Sequence, residues 1–440
     1  MIAVLKTTGT LLLLFLLFPF NATIVIFSWL ISWIIARSRP SPPVAQPKKI
    51  LLTGGKMTKA LQLARSFHAA GHQVYLIETH RYWLSGHRFS RAVKQFFTVP
   101  APETDPDGYY QALQTIVQTH HIDVFIPVSS PVASYHDAIA GKWLAAHCEV
   151  LHCAPEVVQL LDDKFAFCQK ARDIGLSAPK VVRIVDPQQI LNFDFVADGG
   201  QYILKSIRYN SVLRLDLTRL PCAHLAEYVQ TLPISPENPW VMQQFIEGQE
   251  YCTHSTVRNG VIQLHCCAKS SPFQVNYEPV EQPAIQAWVA TFVAALHLTG
   301  QISFDFIQTP DGTVYPIECN PRTHSAITMF YNHPGLAAAY LQAAPSAATP
   351  MTPRSDGKPT YWLYHELWRL TEIRSWADLR AWMQKVTQGK EALYQFNDPL
   401  PFLMVPHWQI TQLLLNSLWQ GKDWIRIDFN IGKLVQLGGD

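Results

Sequence analysis

Two short stretches decide the fold of this chain: Ile317-Glu-Cys-Asn-Pro-Arg322 and, upstream, Phe304-Asp-Phe306. Both lie in apolar runs that are typical of β-strands. Because side chains alternate along an extended strand, Glu318 and Asn320 share one face. Asp305, flanked by two phenylalanines, is a lone carboxylate on the other run. The pattern predicts two strands that each carry oxygen ligands.

The segment between these strands predicts a hairpin. Thr309-Pro-Asp-Gly-Thr313 has the residues of a tight turn, which would place the strands side by side. The same alternation directs Ile317 and Cys319 to the opposite, apolar face. The polar side chains of both strands would therefore converge on one face of the hairpin.

Asp305, Glu318 and Asn320 thus form a candidate metal site. Hard oxygen ligands suit Mg²⁺, which keeps several waters and bridges nucleotide phosphates. The alternative is an ordinary half-exposed hairpin whose polar residues face water. The remainder of the chain decides between the two interpretations.

Length and charge narrow the classes of function. The chain has 440 residues, enough for two or three domains, and only 15% of them are charged, with a net charge of +2. A nucleic-acid-binding protein usually carries a large excess of positive charge, which this chain does not have, so we expect no nucleic acid as partner. The eight cysteines show no C-x-x-C spacing and indicate reduced thiols in a cytosolic compartment.

The N-terminus predicts a membrane segment. No charged residue occurs in 7–36, and 11–36 is almost wholly apolar, longer than the roughly 20 residues that a spanning helix needs. Pro19 and Asn21 lie in its middle, so a kinked helix or a shallow hairpin is the alternative. The basic residues that follow the segment predict that the catalytic part faces the cytoplasm. If the segment does not span, we expect a cytoplasmic protein.

The residues that follow predict an open α/β sheet. Strand-like runs at 49–53, 74–77 and 124–127 surround a helical run at 59–70, which is the order of a βαβ unit. Glu78 at the end of the second run invites an NAD-binding interpretation. However, Gly54-Gly55 lacks the spaced glycines of that fingerprint. We expect this loop and Ser129-Ser130 to form a substrate shelf instead.

Proline-rich stretches divide the chain into predicted parts. These are an apolar membrane segment at 1–36, a linker at 37–47, an α/β domain at 48–150, a second mixed domain at 151–345 with a lid at about 180–240, a second linker at 346–360, and a C-terminal extension at 361–440. Within the extension, 401–419 is too short and polar to span a bilayer, and we expect it to pack on the core.

Two lysines precede the metal strands. Lys164 lies in the first turn of a helical run that Asp162 or Asp163 would cap, where a lysine is unfavourable unless an anion is bound. Lys205 ends an apolar strand, where an unpaired charge is costly. Either lysine alone is commonly a snorkelling or ion-paired residue. Together they provide two cations that can hold phosphates.

A strand break between the lysines and the acids predicts a site for a flat base. The strand that begins at Trp240 stops at Glu247-Gly248, and Glu250 opens the next strand. A strand edge can present backbone amide and carbonyl groups to a base, while Glu250 offers a bidentate acceptor for ribose hydroxyls. A simple strand–turn–strand corner is the alternative.

This order of residues resembles the ATP-grasp superfamily over about 155–335. The resemblance implies an ATP-dependent ligase with an α/β ATP-grasp fold behind a Rossmann-like pre-ATP-grasp domain. It implies that Lys164 and Lys205 hold the α- and β-phosphates and that Glu250 holds the ribose. Gln243, Gln244, Phe245 and Ile246 would line the adenine hinge, and Asp305, Glu318 and Asn320 would bind two Mg²⁺, or Mn²⁺ in their place.

Two departures from the superfamily pattern stand out. The phosphate loop that follows the second lysine is often rich in glycine, yet 206–216 contains none. Arg208, Ser211 and Arg214 would take its place through charge and hydrogen bonding. The hinge carries Gln243 where related enzymes often have an acid.

Longer segments resemble a narrower family, the cyanobacterial ATP-grasp ligases of mycosporine-like amino acid biosynthesis that make mycosporine-glycine. They lie at 54–68, 250–259 and 426–432, and the match extends over about 48–440. The resemblance implies three small-molecule substrates, ATP, glycine and the cyclohexenone 4-deoxygadusol. The enol oxygen would be phosphorylated, and glycine would then displace phosphate to form a carbon–nitrogen bond.

The acceptor end of the site follows the metal strand. We expect Arg322 to pair with the enolate, the glycine carboxylate or the departing phosphate, and Lys205 to absorb charge in the transition state. His324 would relay the amine proton, with His254 as a second candidate, and a structural role is the alternative for both. Two other functions remain open: a carboxylate–amine ligase that acts through an acyl phosphate, and a non-catalytic, membrane-tethered ATP-binding module.

Overall fold

The computed structural model describes residues 2–38, 46–129, 131–208, 213, 216–270, 276–342 and 349–436. The first element is α1 (Ile2–Ser38), a helix of 37 residues that runs without a break through Pro19. The hairpin considered from the sequence is therefore wrong. Val4–Ile35 is long and apolar enough to cross a membrane by length and composition.

One narrow stripe of α1 is buried, and its residues are spaced by seven positions from Thr7 to Asn21 and by three or four positions from Asn21 to Ser32, as on one face of a helix. It consists of Thr7, Leu14, Asn21, Val25, Ser28 and Ser32. Polar contacts join this stripe to the C-terminal extension. They are hydrogen bonds from Lys6 Nζ to Trp424 O (2.6 Å), from Asn21 Nδ2 to Tyr364 OH (2.6 Å) and between Ser28 Oγ and Tyr394 OH (2.8 Å).

The predicted open sheet follows α1. It is parallel, with strand order β3-β2-β1-β4-β5, and its central strand β1 is buried along most of its length. Such burial on both faces is typical of a doubly wound sheet. The strands are β1 (Lys49–Leu52), β2 (Gln73–Thr79), β3 (Val93–Val99), β4 (Val124–Ile126) and β5 (Glu149–Val150), and the helices are α2 (Thr58–Ala69), α3 (Pro106–His120) and α4 (Pro131–Leu144).

The next region carries a small antiparallel sheet of order β6-β8-β7, packed around Trp240 and Tyr202 in a core of its own. This sheet lies at 181–244, over the region where a lid is predicted from the sequence, and the lid role stays a prediction. The elements are α5 (Pro155–Asp162), α6 (Lys164–Asp173), β6 (Val181–Ile184), α7 (Pro187–Leu191), α8 (Phe195–Asp198), β7 (Tyr202–Ser206), α9 (Leu225–Gln230) and β8 (Trp240–Gln244).

A four-stranded antiparallel sheet of order β10-β9-β12-β13 forms the other half of this region. Its apolar face packs on α10 through stacked and edge-on aromatic rings, among them Trp288, Phe292 and Phe304. The elements are β9 (Gln249–Arg258), β10 (Val261–Lys269), β11 (Asn276–Tyr277), α10 (Pro283–Ala295), β12 (Gly300–Gln308), β13 (Val314–Asn320) and α11 (Leu336–Leu341).

The C-terminal extension packs on the rest of the molecule, as predicted for 401–419. Trp362 and Ile410 share one buried cluster with Ile50 and Phe67 of the first domain. Met351, in the predicted second linker, bridges to Leu264 of β10. The elements are β14 (Thr360–Tyr361), α12 (Leu363–Arg369), α13 (Trp376–Gln388), β15 (Lys390–Glu391), α14 (Leu400–Met404), a π-helix (Val405–Ile410), α15 (Thr411–Trp419), β16 (Arg426–Asp428) and β17 (Lys433–Val435).

Candidate functional site

A cavity of about 1960 Å³ lies where the two antiparallel sheets, the first domain and the C-terminal extension meet. Most residues singled out in the sequence line it. These are Lys164, Lys205, Arg208, Gln243, Gln244, Phe245, Ile246, Glu250, Asp305, Glu318, Asn320, Arg322 and His324. Its far wall is built by residues 424–431 of the extension and by Thr10, Leu13 and Leu14 of α1.

The predicted hairpin is confirmed: β12 and β13 pair antiparallel, and Asp305 lies directly opposite Glu318. Ser303 lies opposite Asn320, so four polar residues occupy one face of the pair. The register shifts between Asp305 and Phe306, which leaves Ile317 without a partner in the ladder. Because of this bulge Ile317 lines the cavity, so its predicted place on the opposite face is wrong.

Asp305 is a buried carboxylate with one oxygen atom unpartnered in the described residues. Its Oδ1 atom has no hydrogen-bond partner in the described part of the chain. Burial, together with the nearby charges of Glu318 and Glu250, raises the pKa of Asp305 to about 8. A group in this position either stays protonated or requires a cation beside it.

Lys164 reaches the same carboxylates from the helix side. It is the first residue of α6, where Asp163 accepts hydrogen bonds from the N–H groups of Phe165 (2.9 Å) and Ala166 (3.1 Å), as the predicted cap requires. Lys164 Nζ lies 3.4 Å from Glu318 Oε1. Burial alone would raise the pKa of Glu318, but Lys164, Lys205 and Arg322 together lower it.

Lys205 enters from the small sheet. It is the fourth residue of β7, opposite Val241 of β8, so the predicted place near the strand end is confirmed. Burial lowers the pKa of Lys205, and the charge of Glu318 partly offsets that effect. Lys164 of α6 and Lys205 of β7 thus face the same two carboxylates, Asp305 and Glu318. A polyphosphate would lie between the lysines and the carboxylates.

The hinge residues are only partly available to a ligand. Gln244 and Phe245 donate their backbone N–H groups to Lys180 O (2.8 Å) and Gln201 O (2.7 Å). Gln243 Nε2 donates to Ile317 O at 3.1 Å, which ties the hinge to the bulge in β13. A base bound here would therefore meet Ile246 and the residues that follow it, which lie beyond the end of β8.

Arg322 and Asn320 form a second contact group. Arg322 Nη2 donates to Asn320 Oδ1, and Arg322 Nη1 lies 3.7 Å from Asp162 Oδ1. The amide oxygen of Asn320 thus faces a cation rather than Asp305. A metal ion at the two carboxylates could recruit this oxygen only if the Arg322 side chain turned away.

The donor set nevertheless fits Mg²⁺. Within the described residues no group of three or more His, Cys, Asp or Glu side chains is placed to hold a metal, so the site depends on two carboxylates and on neutral oxygens. Asp305 supplies an unpartnered oxygen, and Ser303 Oγ, also buried and unpartnered in the described chain, lies on the same face. Oxygen ligands with room for water match the coordination that Mg²⁺ prefers.

The two histidines are placed for hydrogen bonding rather than for charge. His324 caps a short 3-10 helix: its Nδ1 accepts the N–H of Ala326 at 3.2 Å. This contact assigns the proton of the neutral ring to Nε2, so His324, which lines the cavity, is a hydrogen-bond donor at that atom. Burial, with Lys59 and Arg322 nearby, lowers the pKa of His324 to about 3. The predicted proton relay would need an acceptor at Nε2 and does not follow from this geometry.

His254 lies behind His324 and is fully buried. Its Nδ1 accepts the backbone N–H of His324 at 3.3 Å, and its Nε2 lies 3.3 Å from Tyr340 OH. Burial and the neighbouring His324 hold the pKa of His254 well below its usual range. The structural role weighed as the alternative for His254 accounts for all of these contacts.

Two predicted phosphate contacts, Ser211 and Arg214, lie outside the described residues, while Arg208 is exposed at the cavity edge. Sequence reasoning missed other lining residues. Arg219 stacks over the ring of Phe245 at 4.0 Å, and Asp162 pairs with Arg322. Lys59, at the start of α2, also lines the cavity. No local pattern marks Arg219 or Lys59, because their roles depend on partners far along the chain.

Known structures share the fold of this chain. The N5-carboxyaminoimidazole synthetase of Staphylococcus aureus, solved with ADP, is 14% identical with a TM-score of 0.52, over 72% of this chain and 82% of that one. The biotin carboxylase domain of Hydrogenobacter thermophilus 2-oxoglutarate carboxylase, solved with MgADP, ADP and bicarbonate, is 11% identical with a TM-score of 0.50, over 70% of this chain and 72% of that one. No protein-family model and no curated protein matches the sequence.

These similarities show the fold, and identities this low show nothing finer. The chain has the ATP-grasp fold behind a Rossmann-like parallel sheet, with an apolar N-terminal helix, as the sequence predicts.

Proposed function

We propose that this protein is an ATP-dependent ligase that joins an amine to an acceptor oxyanion by way of a phosphorylated intermediate. One observation carries the proposal: Lys164, Lys205, Asp305 and Glu318 come from four different elements and meet in one cavity. Two cations and two carboxylates, one of which (Asp305) keeps a buried oxygen without a partner in the described chain, suit a charged ligand such as a metal–polyphosphate.

The proposed reaction has two steps. The acceptor oxygen attacks the γ-phosphorus of ATP, the bond to the bridging oxygen breaks, and ADP leaves. The amine then attacks the carbon that bears the phosphorylated oxygen, the carbon–oxygen bond breaks, phosphate leaves, and the extra amine proton passes to phosphate or solvent. Lys164 and Lys205 would hold the transferring charge, while Arg322 and the Nε2–H of His324 would steady the acceptor oxygens.

Asp305 and Glu318, with Asn320 once it is released by Arg322, are the residues proposed to hold Mg²⁺, and we propose two ions, for which Mn²⁺ is a substitute. The metal would supply charge neutralisation for the phosphate oxygens. Gln243 to Ile246 and Glu250 remain the proposed nucleoside contacts, with Arg208 and Arg214 at the phosphates. Glu250 is exposed at the start of β9, where a ribose can reach it.

The finer proposal names the substrates as 4-deoxygadusol and glycine, with mycosporine-glycine as product. Its support is the sequence resemblance at 54–68, 250–259 and 426–432, and these three segments all contribute residues to the cavity wall. The enolate of a cyclohexenone is a vinylogous carboxylate, so the same site chemistry would also activate an ordinary carboxylate.

A substrate panel tests the proposal. Purified full-length protein is incubated with ATP and Mg²⁺, with or without 4-deoxygadusol and with single amino acids, while ADP and phosphate are measured. Release that requires both the cyclohexenone and glycine supports the finer proposal. Turnover with amino acids alone supports a carboxylate–amine ligase. Tight ATP binding without turnover under any condition refutes ligase activity and supports a tethered binding module.

We further propose that α1 holds the protein at a membrane, with the catalytic part on the cytoplasmic side. The outward face of α1 exposes large apolar side chains along its whole length, among them Phe15, Phe20, Phe27 and Trp33. Leu415 of α15 borders the same groove as Leu12 and Phe15 and is itself half exposed. An apolar face of this extent is unfavourable in water and favourable at a lipid surface.

The orientation we propose is in the plane of the membrane. The buried stripe from Thr7 to Ser32 spans 26 residues of helix, or about 38 Å, which exceeds the roughly 30 Å hydrocarbon core. If α1 stood upright, the docked extension would have to enter the bilayer with it. That extension includes irregular backbone and the charged Glu391, which hydrocarbon does not accommodate. A helix lying flat keeps both the docking and the lipid contact.

A tag on the N-terminus distinguishes the two orientations. Reconstituted protein whose catalytic part faces outward is treated with protease. An in-plane helix leaves the tag on the same side as the catalytic part, so the tag is cut without detergent. A tag that is protected until detergent is added would show a spanning helix, and protein that floats free of vesicles would refute membrane association altogether.

A further inference from the structure

Lys59 is a buried cation without a counter-charge. It is the second residue of α2, is only 5% exposed, and donates from Nζ to Thr323 O at 2.6 Å. Two other buried basic residues of the same segment are paired: Lys56 lies 3.5 Å from Glu78, and Arg65 lies 2.8 Å from Asp398. Among the described residues no carboxylate forms an ion pair with Lys59.

The surroundings of Lys59 add positive charge instead of removing it. Burial, and after it the charge of Arg322, holds the pKa of Lys59 well below its usual range. Arg322 Nη1 has no hydrogen-bond partner within the described chain; it lies 3.7 Å from Asp162 Oδ1, and the charges of Asp305 and Glu318 also act on Arg322. Lys59 is therefore the cation at this end of the cavity that no carboxylate of the described chain pairs with.

A complementary group lies across the same part of the cavity. Asn430 Nδ2 donates to Ser325 Oγ at 2.8 Å, while Asn430 Oδ1 is buried and has no partner in the described residues. The Asn430 carbonyl in turn accepts the N–H of Thr58 at 2.8 Å, which fixes the residue beside the start of α2. Two basic side chains, Lys59 and Arg322, and one acceptor without a partner in the described residues thus belong to residues that line the same cavity.

We propose that Lys59 and Arg322 form a subsite for the carboxylate of an α-amino acid, whose amino group is received by Asn430 Oδ1. This assignment rests on the proposed ligase function and names the class of its amine substrate. A carboxylate is the expected anion because Lys164 and Lys205 already face Asp305 and Glu318, where a polyphosphate would lie. The adjacent unused acceptor matches an amino group and has no role toward a phosphate.

Direct binding tests the subsite without depending on turnover. Full-length protein with Mg²⁺ and a non-hydrolysable ATP analogue is titrated calorimetrically with glycine, L-alanine, L-serine, methylamine and inorganic phosphate. The test variant is Lys59→Met, which keeps an unbranched side chain of similar length but removes the charge. The control variant is Lys94→Met, at an exposed lysine of β3. We expect Lys59→Met to weaken amino-acid binding about 10- to 100-fold, as for a lost charge-assisted hydrogen bond, with methylamine unaffected.

The folded state gives an independent readout. Because Lys59 is an uncompensated buried charge, Lys59→Met should raise the melting temperature of the ligand-free protein, whereas loss of a structural lysine would lower it. A wild type that binds none of the three amino acids overturns the subsite, as does a Lys59→Met protein that loses phosphate binding and keeps glycine binding.

The two proposals can fail separately. Amino-acid binding that depends on Lys59, without turnover of any acceptor, upholds the subsite and refutes the ligase. Turnover whose KM for the amino acid is unchanged in Lys59→Met upholds the ligase and refutes the subsite.

Discussion

Replacing Asp305 by asparagine should stabilise the ligand-free protein and abolish its activity. Asp305 and Glu318 are directly opposite on paired strands, where Cβ atoms are about 5 Å apart. If both were ionised, two unit charges about 6 Å apart at an effective dielectric constant of about 20 would repel by about 3 kcal/mol, so Asp305, whose pKa is raised to about 8, binds a proton near neutral pH at a comparable cost in stability. Lys205 and Arg322 offset part of this repulsion. We therefore expect Asp305→Asn to gain about 1–2 kcal/mol and a few degrees in melting temperature.

The catalytic effect should have the opposite sign. If Asp305 holds a metal, the variant loses several kcal/mol of transition-state stabilisation, which corresponds to a fall of at least about 100-fold in ADP formation. Melting curves with and without Mg²⁺ and a non-hydrolysable ATP analogue measure both effects. Wild type should be stabilised by the pair of ligands, and Asp305→Asn should respond weakly.

The matched control is Glu281→Gln, which removes one negative charge at an exposed position. It should change neither the melting temperature nor the response to Mg²⁺. An Asp305→Asn protein that is less stable without ligand, yet keeps its Mg²⁺ response and its turnover, would show that the hairpin carries no metal and that its carboxylate has a structural role.

Three further outcomes are expected. Lys205→Met should raise the KM for ATP and lower kcat at least about 10-fold, while Lys94→Met leaves both unchanged in the same steady-state assay. Asn21→Leu removes the donor to Tyr364 OH and His407, so chemical denaturation should show a loss of about 1–3 kcal/mol, and no loss would mean that α1 does not dock there. Burial raises the pKa of Asp137 from an ordinary 3.8 to about 7. The protonated Asp137 therefore contributes its full share of the free energy of unfolding below pH 3.8, and this share, at most about 4 kcal/mol, is lost as the pH rises through 7. Asp137→Asn should flatten that part of the stability–pH curve, and an unchanged slope would place its origin elsewhere.

Features governed by local pattern were predictable from the sequence. The facing of Asp305 and Glu318 follows from strand alternation and from the turn at Thr309-Pro-Asp-Gly-Thr313, whose Thr309 N–H bonds to Thr313 O at 3.0 Å. The position of Lys164 follows from its capping neighbour Asp163. In each case the deciding contacts lie within a few residues or within one hairpin.

Features that depend on distant contacts or on a single-residue register shift were not predictable. The bulge that turns Ile317 toward the cavity cannot be recognised from the sequence, because the alternation of side chains along a strand assumes that no residue is inserted. The backbone N–H of Phe245 donates to Gln201 O, and this hydrogen bond forms only when the small sheet β6-β8-β7 is assembled. Lys59 is one of several basic residues in its helix, and only its partner Thr323, 264 positions away, shows that its charge faces the cavity.

The apolar helix and the acceptor end of the cavity are joined through one segment of the extension. Trp424 is held by α1 from two sides, since its indole N–H donates to Thr7 Oγ1 at 3.0 Å and its carbonyl accepts from Lys6. Six residues later Asn430 supports the start of α2 and the proposed amino-acid subsite.

The proposed nucleotide contacts, by contrast, lie on α6, β7, β8 and β9 and in the segment that follows β8, and the most extensive described contacts of α1 are with the C-terminal extension. A membrane that holds α1 would therefore act on the wall proposed to bind the amino acid rather than on the hinge proposed to bind the base. We therefore expect α1 to support the proposed amino-acid subsite as well as to serve as the proposed anchor, so that damage to its docking raises the KM for the amine first and the KM for ATP only later.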